Sequence, residues 1–165
     1  LNEQGMEKMI VDLRDNPGGN LSTVCEMLDL ILPEGTIVYT EDKNNVREVI
    51  TSDDKKQMQI PMAVLINGNS ASASEIFAGA IQDYEMGTLV GTTTYGKGIV
   101  QNIYSLGDGT GLKLTTSEYF TPNGRNIHGI GIKPDIEVKY EYDAENPTAD
   151  NQLQAAMKHL KELKK

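Results

Sequence analysis

Three serines crowd one short stretch, Asn67 to Asp83, which reads N-G-N-S-A-S-A-S-E-I-F-A-G-A-I-Q-D. Ser70, Ser72 and Ser74 are all candidate nucleophiles, and a serine attacks only when a neighbouring base takes its proton. The chain has two histidines, His128 and His159. His159 falls one position off the apolar stripe of a C-terminal helix, which predicts a solvated face. His128 sits in a loop, N-I-H-G-I-G, with no local support. A histidine triad, which also needs an acid to orient the imidazole, is not expected. Lysine is the remaining base. A lysine ordinarily titrates near about 10.4; burial and cationic neighbours lower that value, and about 7–8 makes a useful general base. Lys97 stands in Tyr95-Gly96-Lys97-Gly98, where the glycines allow a tight turn and Tyr95, Ile99 and Val100 suggest a partly dry setting. Composition alone favours a solvent-facing loop lysine. The chemistry on offer is acyl transfer.

The elements that must position these groups are legible around them. Met62 to Ile66 is a continuous apolar run, as in a buried strand. A helix starts around Ala71, with Ile76, Phe77, Ala80 and Ile81 at helical spacing. A serine at such a junction lies where unpaired N–H groups and the helix dipole favour negative charge. Upstream, Met9 to Leu13 predicts a short buried strand, followed by the turn Asp15 to Gly19, D-N-P-G-G. A helix runs from about Leu21 and stops near Pro33-Glu34-Gly35. Thr36 to Thr40 and Val46 to Thr51 predict a hairpin. Downstream, strands are expected at Leu89 to Gly91, Ile99 to Tyr104 and Leu112 to Phe120, with a tight turn at Thr121 to Arg125. Leu153, Ala156, Met157, Leu160 and Leu163 mark the last helix, whose basic tail suits its dipole. The order β-α-ββ-β-α-β-ββ-α predicts a mixed α/β or α+β domain.

The 165 residues suit one domain, and 38% hydrophobic with 24% charged residues describe an ordinary globular chain. The net charge of −9 argues against nucleic acid, whose phosphates require Lys and Arg stripes. No apolar run approaches the roughly 20 residues of a membrane span. The single cysteine, Cys25, lies on an apolar helical face and reads as a buried structural thiol. Ser52-Asp-Asp-Lys55 matches S-x-x-K by chance, with no S-D-N or K-T-G to accompany it. Asn20-Leu-Ser22 is an accidental sequon. No His, Cys and carboxylate cluster has metal-ligand spacing.

Six segments then fall in order: D-L-R-D-N-P-G-G (Asp12 to Gly19), S-A-S-A-S-E (Ser70 to Glu75), Q-D (Gln82, Asp83), T-Y-G-K-G-I-V-Q (Thr94 to Gln101), T-P-N-G-R (Thr121 to Arg125) and G-I-K-P-D (Gly131 to Asp135). Together they resemble the C-terminal processing peptidases, or tail-specific proteases, from about Gly5 to Val138. The resemblance implies that Ser72 is the nucleophile, with Ser70 and Ser74 as local competitors, and that Lys97 is its base. Gln101, four positions beyond Lys97, would orient the lysine. Backbone N–H groups of Gly18 and Ala73 would form the oxyanion hole, with Gly19 as the alternative donor. Glu75 and Asp83 match acidic positions near the family's site and are read as supports. Their plainer readings are a helix N-terminal charge for Glu75 and a surface carboxylate for Asp83.

The implied fold is α/β, a ClpP/crotonase-like ββα spiral core with a mixed sheet, truncated at the N-terminus. The whole of 1–165 would be one protease core without the family's PDZ domain, which captures substrate C-termini by strand addition, and without the strands that precede it. The implied activity is that of a serine endopeptidase of Ser–Lys type on unfolded or C-terminally recognised polypeptides. No metal or organic cofactor and no nucleic acid would be involved. Another copy of the chain could supply missing strands. The parent would work outside the cytoplasm, at the cell surface or in the periplasm. A non-catalytic interaction module and a crotonase-type acyl-CoA enzyme are the alternatives.

Overall fold

The computed structural model describes residues 4–55 and 57–163. Strands divide between two sheets. The first is parallel, in the order β1-β4-β5-β8, built from Met9–Asp12, Met62–Ile66, Thr88–Gly91 and Ile136–Glu137. The second is antiparallel, in the order β3-β2-β7-β6, built from Arg47–Ser52, Gly35–Asp42, Gly111–Phe120 and Ile99–Ser105. The mixture of strand directions expected from the sequence is thus distributed between two sheets. The two-residue β8 directly follows the G-I-K-P-D segment, where no strand was expected.

β4 shows why a continuous apolar run belongs at a sheet centre. All five of its residues are buried. Met62, Val64 and Ile66 join the core beneath helices α1 (Leu21–Asp29) and α2 (Ala73–Asp83). Ala63 and Leu65 face the opposite way, against Ala156 and Leu160 of α3 (Asn151–Glu162). Helices cover both faces of this strand, as the period of two requires.

α1 stops at Asp29, short of Pro33. The N–H groups of Ile31 and Leu32 both turn back to the Leu28 carbonyl, which closes the helix and buries both side chains. Asn20 is its N-cap, accepting from the Ser22 and Thr23 N–H groups. α3 is pinned at both ends. Arg14 reaches its N-cap Asp150 and also Asp12, while Lys8 Nζ donates to the Leu160 and Leu163 carbonyls. His159, expected to be solvated, instead packs with its Nε2 2.8 Å from Thr88 Oγ1. No helix among the described residues is long and apolar enough to cross a membrane.

Candidate active site

The strand-to-helix junction gives each serine a different surrounding. Ser70 is fully buried; its hydroxyl donates to the Leu13 carbonyl at 2.7 Å and accepts from Asn67 N–H. Ser74 is also buried and donates to the Asn16 carbonyl at 3.1 Å. Both hydroxyls tie the junction to the turn after β1. Ser72 is half-buried and opens onto a cleft of about 420 Å³ that Lys97, Gln101, Ile76 and Tyr119 also line. Its φ of 56° and ψ of −118° lie where non-glycine residues are rare. Such a conformation costs about 1–3 kcal/mol and persists only where its surroundings enforce it. A sharp turn of this kind pushes a side chain out at the head of a helix.

The enforcing group is Glu75. Its side chain is wholly buried, and both carboxylate oxygens accept two bonds. Oε2 takes the N–H of Ser72 at 2.9 Å and the N–H of Lys97 at 2.8 Å. Oε1 takes the Thr94 hydroxyl at 2.5 Å and the Gly96 N–H at 2.7 Å. One oxygen therefore joins the backbones of the serine and the lysine. The carboxylate addresses the main chain of Lys97, not its ammonium. Lys97 is half-buried, and its side chain has no carboxylate partner among the described residues.

The far side of the lysine loop is held by residues 127–132. Gly96 accepts the Gly129 N–H at 2.9 Å. A side chain at Gly96 would lie 2.9 Å from Gly131 N, and its φ of +87° disfavours one as well. Thr94 links the layers, since its hydroxyl accepts from Ile132 N–H while donating to Glu75. Tyr119 donates its hydroxyl to the Ser72 carbonyl at 3.2 Å. Burial, reinforced by the Glu75 charge, pushes the Tyr119 hydroxyl well above its ordinary pKa and keeps it a donor.

The Asp15–Gly19 turn lies directly against the elbow. A Cβ on Gly18 would sit 2.4 Å from the Ala71 carbonyl and 2.7 Å from Ala73 N, and its φ is +90°. The Gly18 N–H, however, donates to Asn16 Oδ1 at 2.9 Å. This geometry turns the oxyanion-donor assignment toward its alternative. Gly19 lines the cleft beside Ser72 and Ala73, and neither its N–H nor that of Ala73 has a hydrogen-bond partner among the described residues.

Two further expectations change with the structure. Gln101 lines the same cleft, but it stands on β6 next to a bulge, where its Nε2 donates to Thr115 Oγ1 at 3.4 Å. Asp83 lies at the opposite end of α2, an 11-residue helix spanning about 16 Å. Its nearly buried carboxylate pairs with Arg125 and accepts from Asn123 N–H. It fastens the 121–125 turn and stands away from Lys97.

Asn16, Thr94 and Tyr119 are the contributors that residue types alone do not reveal. Asn16 had a signal in the turn D-N-P-G-G, because asparagine bonds its own backbone two residues on. Thr94 precedes the Y-G-K-G loop and carries no signal of its own. Tyr119 reads as one more strand aromatic.

Fold and cleft define a class: an α/β protein with an elbow serine, a lysine and unpaired helix-terminal N–H groups on one cleft. The chain belongs to peptidase family S41, whose model matches residues 1–138. It is 43% identical over 160 residues to a carboxyl-terminal-processing protease of Synechocystis, covering 95% of this chain and 38% of that protein. The chain therefore spans well under half of that relative. Among solved structures it is similar to a photosystem II D1 C-terminal processing protease, with a TM-score of 0.76 and 33% identity over 84% of this chain and 36% of the other. A lipoprotein from Streptococcus agalactiae superposes with a TM-score of 0.74 at 25% identity, covering 94% of this chain and 54% of the other.

Proposed function

We propose that this chain is the catalytic core of a serine endopeptidase that works through Ser72 and Lys97. The observation that carries this reading is the Glu75 carboxylate, one oxygen of which holds the backbones of both residues. It is supported by the cluster itself, in which Ser70 and Ser74 use their hydroxyls internally and Ser72 opens onto the cleft.

In this reading neutral Lys97 takes the Ser72 proton as the alkoxide attacks a peptide carbonyl. The N–H groups of Ala73 and Gly19 receive the oxyanion, aided by the N-terminal end of α2. Lys97 then passes its proton to the leaving amine, and water, deprotonated by the same lysine, releases the acyl group. Gln101 borders the lysine's side of the cleft and orients its side chain during these transfers. Ile76, Ile99, Val100 and Tyr119 reduce the water around that lysine.

The substrates are polypeptides that are unfolded or recognised by their C-termini, a reading supported by the relatives named for carboxyl-terminal processing. An extracytoplasmic site of action is supported by the lipoprotein neighbour. Cleavage of casein and of C-terminally tagged peptides by the complete natural chain, compared with its Ser72→Ala and Lys97→Ala variants, tests the proposal. Folded variants should lose all turnover. Normal turnover in either overturns the assignment.

A further inference from the structure

Two charged side chains line the serine–lysine cleft among the described residues, and both are lysines. Lys97 has its place in the chemistry. Lys113 holds neither the elbow nor the lysine loop. It stands on β7 opposite Ile103 of β6, one residue pair beyond Gln101 and Thr115. Paired residues of an antiparallel ribbon share a face, as do residues two apart on one strand. Gln101 and Lys113 therefore share a face, about 7 Å apart along the ribbon, and both line the cleft.

Lys113 is exposed, and its ammonium has no hydrogen-bond or ion-pair partner among the described residues. Acids of the elbow and of the same hairpin are engaged elsewhere. Glu75 gives both oxygens to four donors of its own. Glu118, further along β7, accepts from Asn126 Nδ2, and Asp108, in the hairpin turn, accepts from the Thr110 N–H. No Asp or Glu among the described residues lines the cleft. In a chain of net charge −9, this cleft carries the opposite sign.

We infer that Lys113 pairs with a carboxylate of the substrate on the leaving-group side of the scissile bond, and so selects acidic segments there. The inference rests on the Ser72–Lys97 reading. In that reading Lys97 works uncharged, which leaves Lys113 as the standing charge of the cleft. The amine that Lys97 protonates is the first atom of the leaving segment. That segment therefore starts on the lysine's side of the cleft, where β6 and β7 stand. An anion against Lys97 itself would favour its charged form and oppose its work as a base. At Lys113, one residue pair beyond the neutral Gln101 amide, a carboxylate gains a partner without that cost. An ammonium or guanidinium at the same place meets like charge. The carboxylate has two sources: an Asp or Glu side chain, or the terminal carboxylate of a short leaving segment.

The test uses peptides with Glu, Gln or Lys at the second, third or fourth leaving-side residue, and a short peptide ending in a carboxylate or an amide. They are cleaved by the complete natural chain and its Lys113 variants. The ratio of kcat/KM between two peptides is read within each protein, so a general loss of activity in a variant cancels. In the unsubstituted protein Glu should exceed Gln at one of these positions, or the acid the amide, by about 5-fold, the scale of a half-exposed ion pair. Lys should fall below Gln. The preference should fade in 1 M salt, where the screening length is about 3 Å. Lys113→Arg should keep it, Lys113→Met should bring the ratio to about 1, and Lys113→Glu should turn it toward Lys. A Glu-to-Gln ratio that responds in this way identifies a side-chain carboxylate; an acid-to-amide ratio that does so identifies the terminal one. Ratios near 1 in the unsubstituted protein, or a preference that survives Lys113→Met, overturn the Lys113 assignment and leave the protease reading standing. Failure of the unsubstituted protein to label with a fluorophosphonate at Ser72 removes both.

Discussion

Replacing Glu75 by glutamine changes one oxygen to an NH₂ group and leaves the shape intact. The carboxylate accepts four bonds, two on each oxygen, in a fully buried setting. A glutamine amide retains one acceptor oxygen. Whichever way it is turned, its NH₂ group faces two donors. Each buried donor left without an acceptor costs about 1–3 kcal/mol, so Glu75→Gln should cost roughly 2–6 kcal/mol. In a chain of this size 1 kcal/mol lowers Tm by about 2–4 °C, which places the expected fall at roughly 5–20 °C. If the NH₂ group meets the Ser72 and Lys97 amides, the elbow and the lysine loop lose their shared anchor. A displacement of about 1 Å at reacting groups costs about 100-fold in rate. Thermal unfolding followed by circular dichroism reads the first effect. The rate of fluorophosphonate labelling, taken well below the variant's Tm, reads the second. A Tm within about 2 °C of the unsubstituted protein, the shift expected from about 1 kcal/mol or less, together with unchanged labelling would refute the reasoning.

The adjacent glycines should behave differently. Gly18→Ala places a methyl 2.4 Å from the Ala71 carbonyl in a left-handed backbone, whose strain alone is about 1–2 kcal/mol; protease susceptibility should rise and labelling should collapse. Gly19→Ala meets no atom within 4 Å and should keep its Tm, with any loss confined to kcat. Hydrogen bonds from Arg14 hold the Asp12 and Asp150 carboxyls below their ordinary range. Their folded values lie below the unfolded ones, so this contribution is complete above about pH 4 and disappears as pH falls through the lowered values. Amide protection factors in α3, taken relative to the unstructured exchange rate at the same pH, should therefore fall in acid, and Arg14→Met should lower them already at neutral pH. Equal protection of α3 in Arg14→Met at neutral pH counts against this clamp.

Much of the frame is legible because period and turn chemistry act locally. The apolar run 62–66 carries a buried-strand signal, and D-N-P-G-G carries a strong turn signal. The division into two sheets was not legible, because strand partners are chosen by tertiary packing and by the β4–α2–β5 crossover. At the site, the residue types bring Ser70, Ser72, Ser74 and Lys97 forward as candidates, the family resemblance chooses Ser72, and the fold sets Ser72 and Lys97 on one cleft. Glu75 was visible as an acid near a helix start. Its second task, receiving the Lys97 and Gly96 amides from a loop about 20 residues on, depends on how that loop folds back. Asp83 shows the converse. It follows the serine cluster closely in sequence, yet one helix length carries it to a different turn, where Arg125 and Asn123 meet it.

The central claim is that Ser72 is made nucleophilic by Lys97. Fluorophosphonate labelling followed by peptide mapping, in the unsubstituted chain and in Lys97→Met, tests it most directly. The account predicts a single adduct on Ser72 that disappears in Lys97→Met while the fold is retained. An adduct on Ser70 or Ser74, or undiminished labelling of Ser72 without the lysine, would contradict it.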